Sequence, residues 1–161
     1  MFEIGEFVVH SGHGLCTVVE KNNTEQYYKL ETYHNRMSIK IPMEKASLFL
    51  RPMLSKTEIM KAINDSVLLS NEYITDNKER KIQFQNLVFS NNIMDTLALL
   101  KMLYHIMDVK RAEKKTLGSF DTQFLQQAER KLFNEVAVAT GITKDEAQAL
   151  LHERLKAQPV Y

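Results

Sequence analysis

The stretch Met37-Ser38-Ile39-Lys40-Ile41-Pro42 decides how the first third of the chain is interpreted. Its apolar side chains, Met37, Ile39 and Ile41, alternate strictly with polar ones. This is the period of a β-strand that has one side in a core and the other in solvent. Pro42 ends the strand because proline has no N–H group to donate to a sheet.

Four further segments of strand type surround this stretch. They are rich in β-branched and aromatic residues and are separated by polar or glycine-containing turns. In chain order they are Glu6–His10, Leu15–Glu20, Gln26–Tyr33 and, after Pro42, the short element Ser47–Leu50. Five short strands in about fifty residues predict a small β-barrel that closes to hide its edges.

From Ser55 onward the hydrophobic period changes to that of helices. Ser55-Lys56-Thr57-Glu58 and Thr143-Lys144-Asp145-Glu146 both have the capping-box pattern that begins a helix. Between them the clearest apolar stripe consists of Ile93, Leu97, Leu100, Leu103 and Met107. The sequence therefore predicts an α+β protein, with a β domain over residues 1–54 and an all-helical domain of about five helices over residues 55–161.

The composition of the 161-residue chain narrows the class of protein. Hydrophobic residues make up 44% of it and the formal net charge is +1, so the chain is typical of a folded protein and not of one that binds nucleic acid by charge alone. No apolar run reaches the roughly 18 residues of a membrane span, and the N-terminus has no signal-peptide pattern. Cys16 is the only cysteine, which excludes an internal disulfide. We expect a cytoplasmic protein with no membrane partner.

The sequence offers little catalytic or metal-binding chemistry. Phosphate-loop, dinucleotide-binding and nucleophile-elbow motifs are absent. His10, His13 and Cys16 are evenly spaced, but they straddle a predicted turn and no second cysteine is present, so we interpret them as structural rather than as a zinc site. The only tight basic cluster is Lys110, Arg111, Lys114 and Lys115, which either complements a helix dipole or contacts phosphates. We expect a non-enzymatic protein without a metal or cofactor.

Several motifs resemble the bacterial CarD/CdnL transcription regulators, whose N-terminal RNA polymerase-interacting domain also occurs in the transcription-repair coupling factor. The N-terminal motifs are Phe2-x-Ile4-Gly5-Glu6-x-Val8-Val9, His13-Gly14, Ile39-Lys40-Ile41-Pro42 and Leu50-Arg51-Pro52. The C-terminal motifs are Leu125-x-x-Ala128, Glu135-Val136-Ala137-x-Ala139 and Thr143-x-x-Glu146-Ala147-x-x-Leu150-Leu151. The resemblance covers nearly the whole chain in the same order.

The resemblance implies that residues 1–54 form a Tudor-like, SH3-like barrel that pairs an exposed strand with the β subunit of RNA polymerase. Such edge-strand addition supplies main-chain hydrogen bonds, and flanking charges fix the register. Lys40 matches a basic interface position of the family. Arg36 and Met37, in the turn and strand before it, are further candidates for polymerase contact. An exposed edge beside a short hinge also permits a strand-swapped homodimer.

The resemblance further implies that the helical domain contacts promoter DNA at the upstream edge of the transcription bubble. There a tryptophan of the family wedges into the minor groove and helps to hold the open complex. This chain has no tryptophan, and Asn77 or a neighbour stands in its place. Family basic positions fall on Lys78, Arg80 and Lys81, and Lys110, Arg111, Lys114 and Lys115 could add phosphate contacts.

We therefore expect a regulator that binds the polymerase β subunit, contacts promoter DNA weakly and without sequence specificity, and modulates open-complex stability. The alternative is an adaptor that binds RNA polymerase or another protein and that has lost DNA binding along with the wedge tryptophan.

Overall fold

A computed structural model describes residues 1–69 and 72–156 and shows a five-stranded antiparallel sheet followed by helices. The strands are β1 (Phe7–His10), β2 (Gly14–Asn22), β3 (Tyr27–Thr32), β4 (Ser38–Pro42) and β5 (Leu50–Pro52). Their order in the sheet is β4-β3-β2-β1-β5, so β4 and β5 are the two edges. Ile39 and Ile41 face the core and Ser38 and Lys40 face outward, as the alternation in this stretch predicts.

Two details of the β region differ from the sequence-based expectation. The predicted strand over Ser47–Leu50 is wrong. Leu50 donates its backbone N–H to Ala46 O and closes a single helical turn, α1 (Ala46–Phe49). This turn follows a 3-10 turn over Met43–Lys45. A short apolar run fits either structure, and here the helical turn leaves Leu48 and Phe49 exposed. In addition, within residues 1–69 and 72–156 no strand pairing joins β4 to β5, so the sheet stays open at that seam.

In the part of the chain that the structure describes, five longer helices follow the sheet. They are α2 (Lys56–Ser66), α3 (Asn77–Val88), α4 (Ile93–Ala112), α5 (Ser119–Thr140) and α6 (Lys144–Lys156). Both halves of the first capping box form, since Ser55 Oγ accepts from Glu58 N–H and Glu58 Oε1 accepts from Ser55 N–H. The α+β prediction is therefore confirmed. No described helix is long and apolar enough to cross a membrane.

The buried apolar residues form two separate clusters. One lies inside the β region and includes Val8, Cys16, Val18, Tyr28, Leu30, Ile41 and Leu50. The other joins all five long helices and is centred on Phe84, Leu97, Leu100, Leu132 and Leu151. Each cluster is built from the apolar side of its own elements, which is the pattern of two packed units, and the chain passes from one to the other between β5 and α2.

A buried ion pair connects the two units. The Nη1 and Nη2 atoms of Arg51, in β5, each lie 2.7 Å from a carboxylate oxygen of Glu135, in α5. The same carboxylate accepts the backbone N–H of Leu54 at 3.0 Å. Beside this pair, Gly14 lies so close to α5 that a Cβ there would be 3.1 Å from the Cα of Lys131. A side chain here would need α5 to shift slightly and would have a strained φ of 76°, so this contact between β2 and α5 favours glycine.

Candidate functional site

The free edge of β4 carries unpaired backbone groups. Thr32 N–H donates to Met37 O and Met43 N–H donates to Gln26 O, each at 2.9 Å. Hydrogen-bonded and non-hydrogen-bonded pairs alternate along an antiparallel ladder, so Ile39 and Ile41 also bond to β3. The backbone groups of Ser38, Lys40 and Pro42 therefore point away from the sheet. The C=O of Pro42 begins the 3-10 turn over Met43–Lys45, so this edge can donate two N–H groups and offers the C=O groups of Ser38 and Lys40 as acceptors.

The opposite edge, β5, is closed to strand addition. Ser11 N–H donates to Phe49 O and Met53 N–H donates to Phe7 O, so the outward positions are Leu50 and Pro52. The N–H of Leu50 is used by α1, and Pro52 has none. Proline and a covering turn are common ways to protect a sheet edge. Of the two edges, β4 is the one that can exchange hydrogen bonds with an added strand.

Lys40 lies at the centre of the open edge with its side chain exposed. It is directly opposite Lys29, and its Nζ stands 4.6 Å above the centre of the Tyr27 ring. Tyr27 in turn donates its hydroxyl to Glu20 at 2.9 Å. Within the described residues no carboxylate forms an ion pair with Lys40. The residue thus places both of its backbone groups at the open edge and its cation on the adjacent outer face of the sheet.

Arg36 and Met37 lie in the turn that leads into β4. Arg36 is exposed and has a left-handed backbone with φ of 53°. Its N–H donates to Thr32 O, and the N–H of Met37 donates to the hydroxyl of Thr32. These bonds hold the tight turn, and the side chain of Met37 is 41% exposed. The three candidate polymerase-contact residues therefore lie along one edge and its entry turn.

The candidate DNA-contact residues of α3 separate into an exposed group and a buried one. Asp76 accepts from Glu79 N–H and begins the helix, and the side chains of Lys78 and Lys81 are exposed. Asn77 is also exposed, and its Oδ1 accepts from the guanidinium of Arg80 at 2.9 Å. No protein group competes for the two lysines within the described residues.

Arg80, by contrast, is part of the helical core. Its Nε lies 3.0 Å from Asp121 Oδ1, and its Nη1 donates to the carbonyls of Ile74 and Thr75. The guanidinium also packs over the rings of Tyr73 and Phe120. Protein groups therefore surround this cation, and it does not belong to the exposed basic surface.

The second basic group caps the end of α4. Lys114 has a left-handed backbone with φ of 61°, and Lys115 N–H donates to Lys110 O at 2.7 Å, which is the Schellman arrangement. Arg111, Lys114 and Lys115 are exposed and Lys110 is half-buried. Lys115 also lies 3.6 Å from Glu113, in an exposed pair.

The two basic groups lie at the same end of the helical unit. The segment that carries Lys114 and Lys115 leads directly into α5, whose residue Asp121 bonds to Arg80 in the first turn of α3. The buried Arg80–Asp121 pair therefore fixes the start of α3 beside the start of α5. We name the exposed residues Asn77, Lys78, Lys81, Arg111, Lys114 and Lys115, together with half-buried Lys110, the basic end of the helical unit.

Sequence reasoning missed an apolar side chain on the outer side of α3. Ile82 is 60% exposed and lies four residues after Lys78, which is the spacing of one helical face. The signal is visible in the sequence, since α3 has large apolar residues on both of its sides. Phe89, the residue that caps α3, is 47% exposed, and its ring lies beside Gly12 in the turn between β1 and β2. Lys78 and Ile82 thus form a basic and apolar stripe that faces solvent.

The histidine and cysteine trio has a structural explanation. The Nδ1 atom of His10 accepts the backbone N–H groups of Gly12 and His13, at 3.0 and 3.2 Å, and so organises the turn. Burial, aided by nearby His13 and Lys131, lowers the pKa of His10 to about 4. Burial raises the pKa of the Cys16 thiol to about 12, which disfavours the reactive thiolate. Among the described residues no three His, Cys, Asp or Glu side chains are placed to hold a metal.

Comparison with known protein families matches both units of the chain. The CarD-like/TRCF RID domain matches residues 2–54, and the CarD C-terminal domain matches residues 69–152. No curated protein matches the chain. The second match alone spans more than half of the sequence, and the two follow each other in the order that the sequence motifs predict. The chain belongs to the CarD/CdnL family of bacterial transcription regulators.

Proposed function

We propose that this protein regulates transcription by pairing β4 with a strand of the RNA polymerase β subunit and by contacting promoter DNA through the basic end of its helical unit. The two family domains support a regulator that interacts with RNA polymerase. The proposal adds the β subunit, the edge strand and the DNA contact. In this mechanism the protein acts in the bacterial cytoplasm by binding alone and needs neither a catalytic group nor a cofactor.

The observation that carries the polymerase contact is the open edge of β4. Ser38 and Lys40 supply outward N–H groups, whereas β5 supplies none. Main-chain pairing supplies affinity in such complexes, and side chains at alternate positions supply specificity. Lys40 is central in this edge and has no acidic partner among residues 1–69 and 72–156, and in this proposal it fixes the register against an acidic group of the polymerase. Arg36 and Met37 extend the contact into the entry turn.

The experiment is a pull-down of the purified chain with the isolated lobe of the polymerase β subunit. We expect binding by the unmodified protein and clear weakening by Lys40→Glu. Lys56→Glu is the matched control, because it makes the same charge change at an exposed residue outside the sheet. Equal binding by Lys40→Glu and the unmodified protein contradicts the role of Lys40. Absence of binding by the unmodified protein contradicts the polymerase contact itself.

For DNA, the proposal rests on the basic end and on the exposed stripe of α3. Lys78, Lys81, Lys114 and Lys115 are exposed, and in this proposal they contact phosphates, which position a protein without reading sequence. Ile82, on the same face, offers an apolar side chain where the chain lacks tryptophan, although it is smaller than the ring that unstacks a base step. We therefore expect weak engagement at the upstream edge of the bubble and a modest effect on open-complex lifetime.

A salt titration separates the regulator from the adaptor alternative. If phosphates are contacted, the affinity of the protein for a polymerase–promoter complex exceeds that for polymerase alone, and the gain falls as salt rises. Replacing Lys78 and Lys81 by Gln then lowers the log–log slope by about 0.7 to 0.9 for each lost contact. If promoter DNA adds no affinity at any salt concentration, the result favours an adaptor without DNA binding.

A second copy of the chain is an alternative occupant of the β4 edge. Pairing of two copies through their β4 edges would satisfy the same outward groups of Ser38 and Lys40 that the polymerase strand would use. Light scattering of the purified chain, with and without the β lobe, tests this. A dimer that dissociates when the lobe is added supports a shared edge, whereas a monomer at all concentrations excludes the swapped form.

A further inference from the structure

A cleft of about 670 Å³ opens at the seam where β4 and β5 do not pair. Met43, which directly follows β4, lines one side, and Leu50 of β5 lines another. Phe2 and Tyr28 complete a mainly apolar wall. The volume lies within the range of sites that take a ligand or a large side chain.

The cleft is formed by residues that are already held in place. The N-terminal segment is fixed because Phe2 N–H donates to the Tyr28 hydroxyl at 3.2 Å and the two rings meet edge to face at 5.8 Å. Tyr28 and Leu50 belong to the buried core of the β region. The apolar wall therefore does not need to assemble when a partner arrives, which lowers the entropic cost of binding.

The rim of the cleft carries two carboxylates and is also lined by the N-terminal residue Met1. Glu6 and Glu44 line it, Glu44 being exposed and Glu6 half-buried. Arg51 also borders the cleft, but both of its terminal nitrogens are bound to Glu135 at 2.7 Å, so its charge is neutralised within the protein. A group that enters the cleft therefore meets an apolar wall and two carboxylates, of which Glu6 also accepts the backbone N–H of Glu3 at 3.3 Å.

We propose that this cleft is a docking site for a segment of a partner protein that inserts an apolar side chain flanked by lysine or arginine. The apolar wall accepts the inserted side chain, and Glu6 and Glu44 receive the flanking cations. Strand pairing at β5 is blocked at Leu50 and Pro52, so the contact is made by side chains. The site does not use the outward groups of β4 and is therefore independent of the proposed polymerase edge.

Three capped tripeptides titrated into the full chain test the site. Ac-Lys-Phe-Lys-NH₂ carries both the apolar group and the cations, Ac-Glu-Phe-Glu-NH₂ reverses the charge, and Ac-Lys-Ser-Lys-NH₂ removes the apolar group. Methionine methyl resonances give the readout, since Met43 lines the cleft and Met94 lies on α4 as an internal reference. We expect the lysine–phenylalanine peptide to shift Met43 selectively and to bind at least several-fold more tightly than either of the others.

The variant Glu44→Gln removes one rim charge without touching the core. It should weaken the lysine–phenylalanine peptide about two- to fivefold, the usual size of an exposed ion pair. Glu153→Gln, at an exposed position on α6, is the matched control and should leave the affinity unchanged. Equal binding of the acidic and basic peptides, equal binding of the serine peptide, or no shift of Met43 at millimolar peptide would each overturn the proposal.

Discussion

Arg51 and Glu135 form a bidentate ion pair between β5 and α5, with both nitrogen–oxygen distances at 2.7 Å. Glu135 is completely buried, and it also accepts the backbone N–H of Leu54. One carboxylate thus receives three donors from the segment that joins the two units. A planar guanidinium fits a carboxylate in this way, whereas a lysine ammonium cannot.

Glu135→Ala should therefore destabilise the protein strongly. The substitution leaves Arg51 without its partner and the Leu54 N–H without an acceptor, and breaking a buried pair from one side costs roughly 3 to 5 kcal/mol. Urea unfolding of the full chain measures this loss. Arg51→Ala and the double variant complete a cycle, and we expect the double variant to lose much less than the sum of the two single changes.

An exposed pair supplies the control for that cycle. Lys61 and Asp65 lie one helical turn apart on α2, with both side chains largely in solvent. Asp65→Asn should leave the unfolding midpoint unchanged, because such pairs contribute little. Additive losses at Arg51 and Glu135 would show that the pair does not couple the two units.

Acidification should weaken the turn between β1 and β2. His10 accepts two N–H groups through Nδ1, which is possible only when that atom is unprotonated. Because burial lowers the pKa of His10 to about 4 in the folded protein, the unfolded chain binds more protons between about pH 6.5 and pH 4. The stability that neutral His10 contributes is complete above about pH 6.5 and is lost as pH falls toward 4.

The test is the pH dependence of urea unfolding. The loss from this group is at most about 3 kcal/mol, and solvent screening of the partly exposed ring reduces it. His10→Asn is the informative variant, since its side-chain oxygen can accept the same N–H groups without titrating in this range. If the variant and the parent lose stability equally between pH 6.5 and pH 4, the pH dependence arises elsewhere.

The sequence predicts the elements whose conformation is determined by residues close together in the chain. Alternation in Met37–Pro42 identifies β4, and the capping box at Ser55 identifies the start of α2. Ser47–Leu50 shows the limit, because four apolar-rich residues fit a strand and a helical turn equally well. The hydrophobic pattern distinguishes a strand from a helix only when the segment is longer.

The site depends on contacts between distant residues, and for this reason less of it is predictable. The outward direction of the Lys40 backbone follows from its register with Lys29, and the closed β5 edge follows from the bond between Leu50 and Ala46. Arg80 matched a basic position of the family, but its partner Asp121 lies 41 residues later. A single sequence does not reveal which of several cations a distant carboxylate will bury.

A proline at Ser38 should block the polymerase edge while preserving the sheet. The Ser38 N–H points outward, so Ser38→Pro removes a donor that β3 does not use, and proline is tolerated on edge strands in this orientation. Loss of one intermolecular hydrogen bond predicts about three- to tenfold weaker binding to the β lobe. Unfolding in urea and circular dichroism establish that the variant is folded.

Lys40→Gln is the companion variant for that experiment. It keeps the backbone donor and removes the charge, so it separates the main-chain contribution from the electrostatic one. We expect its defect to shrink as salt rises, whereas the defect of Ser38→Pro should persist. Unimpaired binding by folded Ser38→Pro would rule out strand addition at β4.

Neutralising Arg80 and neutralising Lys78 and Lys81 should have different effects on stability and on promoter binding. Arg80→Met leaves Asp121 buried without a cation and the carbonyls of Ile74 and Thr75 without a donor, so we expect a loss of about 3 kcal/mol or more in the free energy of unfolding. Replacing Lys78 and Lys81 by Gln should change stability by less than about 0.5 kcal/mol, because both are exposed and unpaired within the described residues.

The salt dependence of promoter binding should separate the same variants in the opposite way. The log–log slope should fall in the Lys78 and Lys81 variant and stay unchanged in folded Arg80→Met. A stable Arg80→Met protein with a reduced salt slope would instead place Arg80 on the DNA-contacting surface.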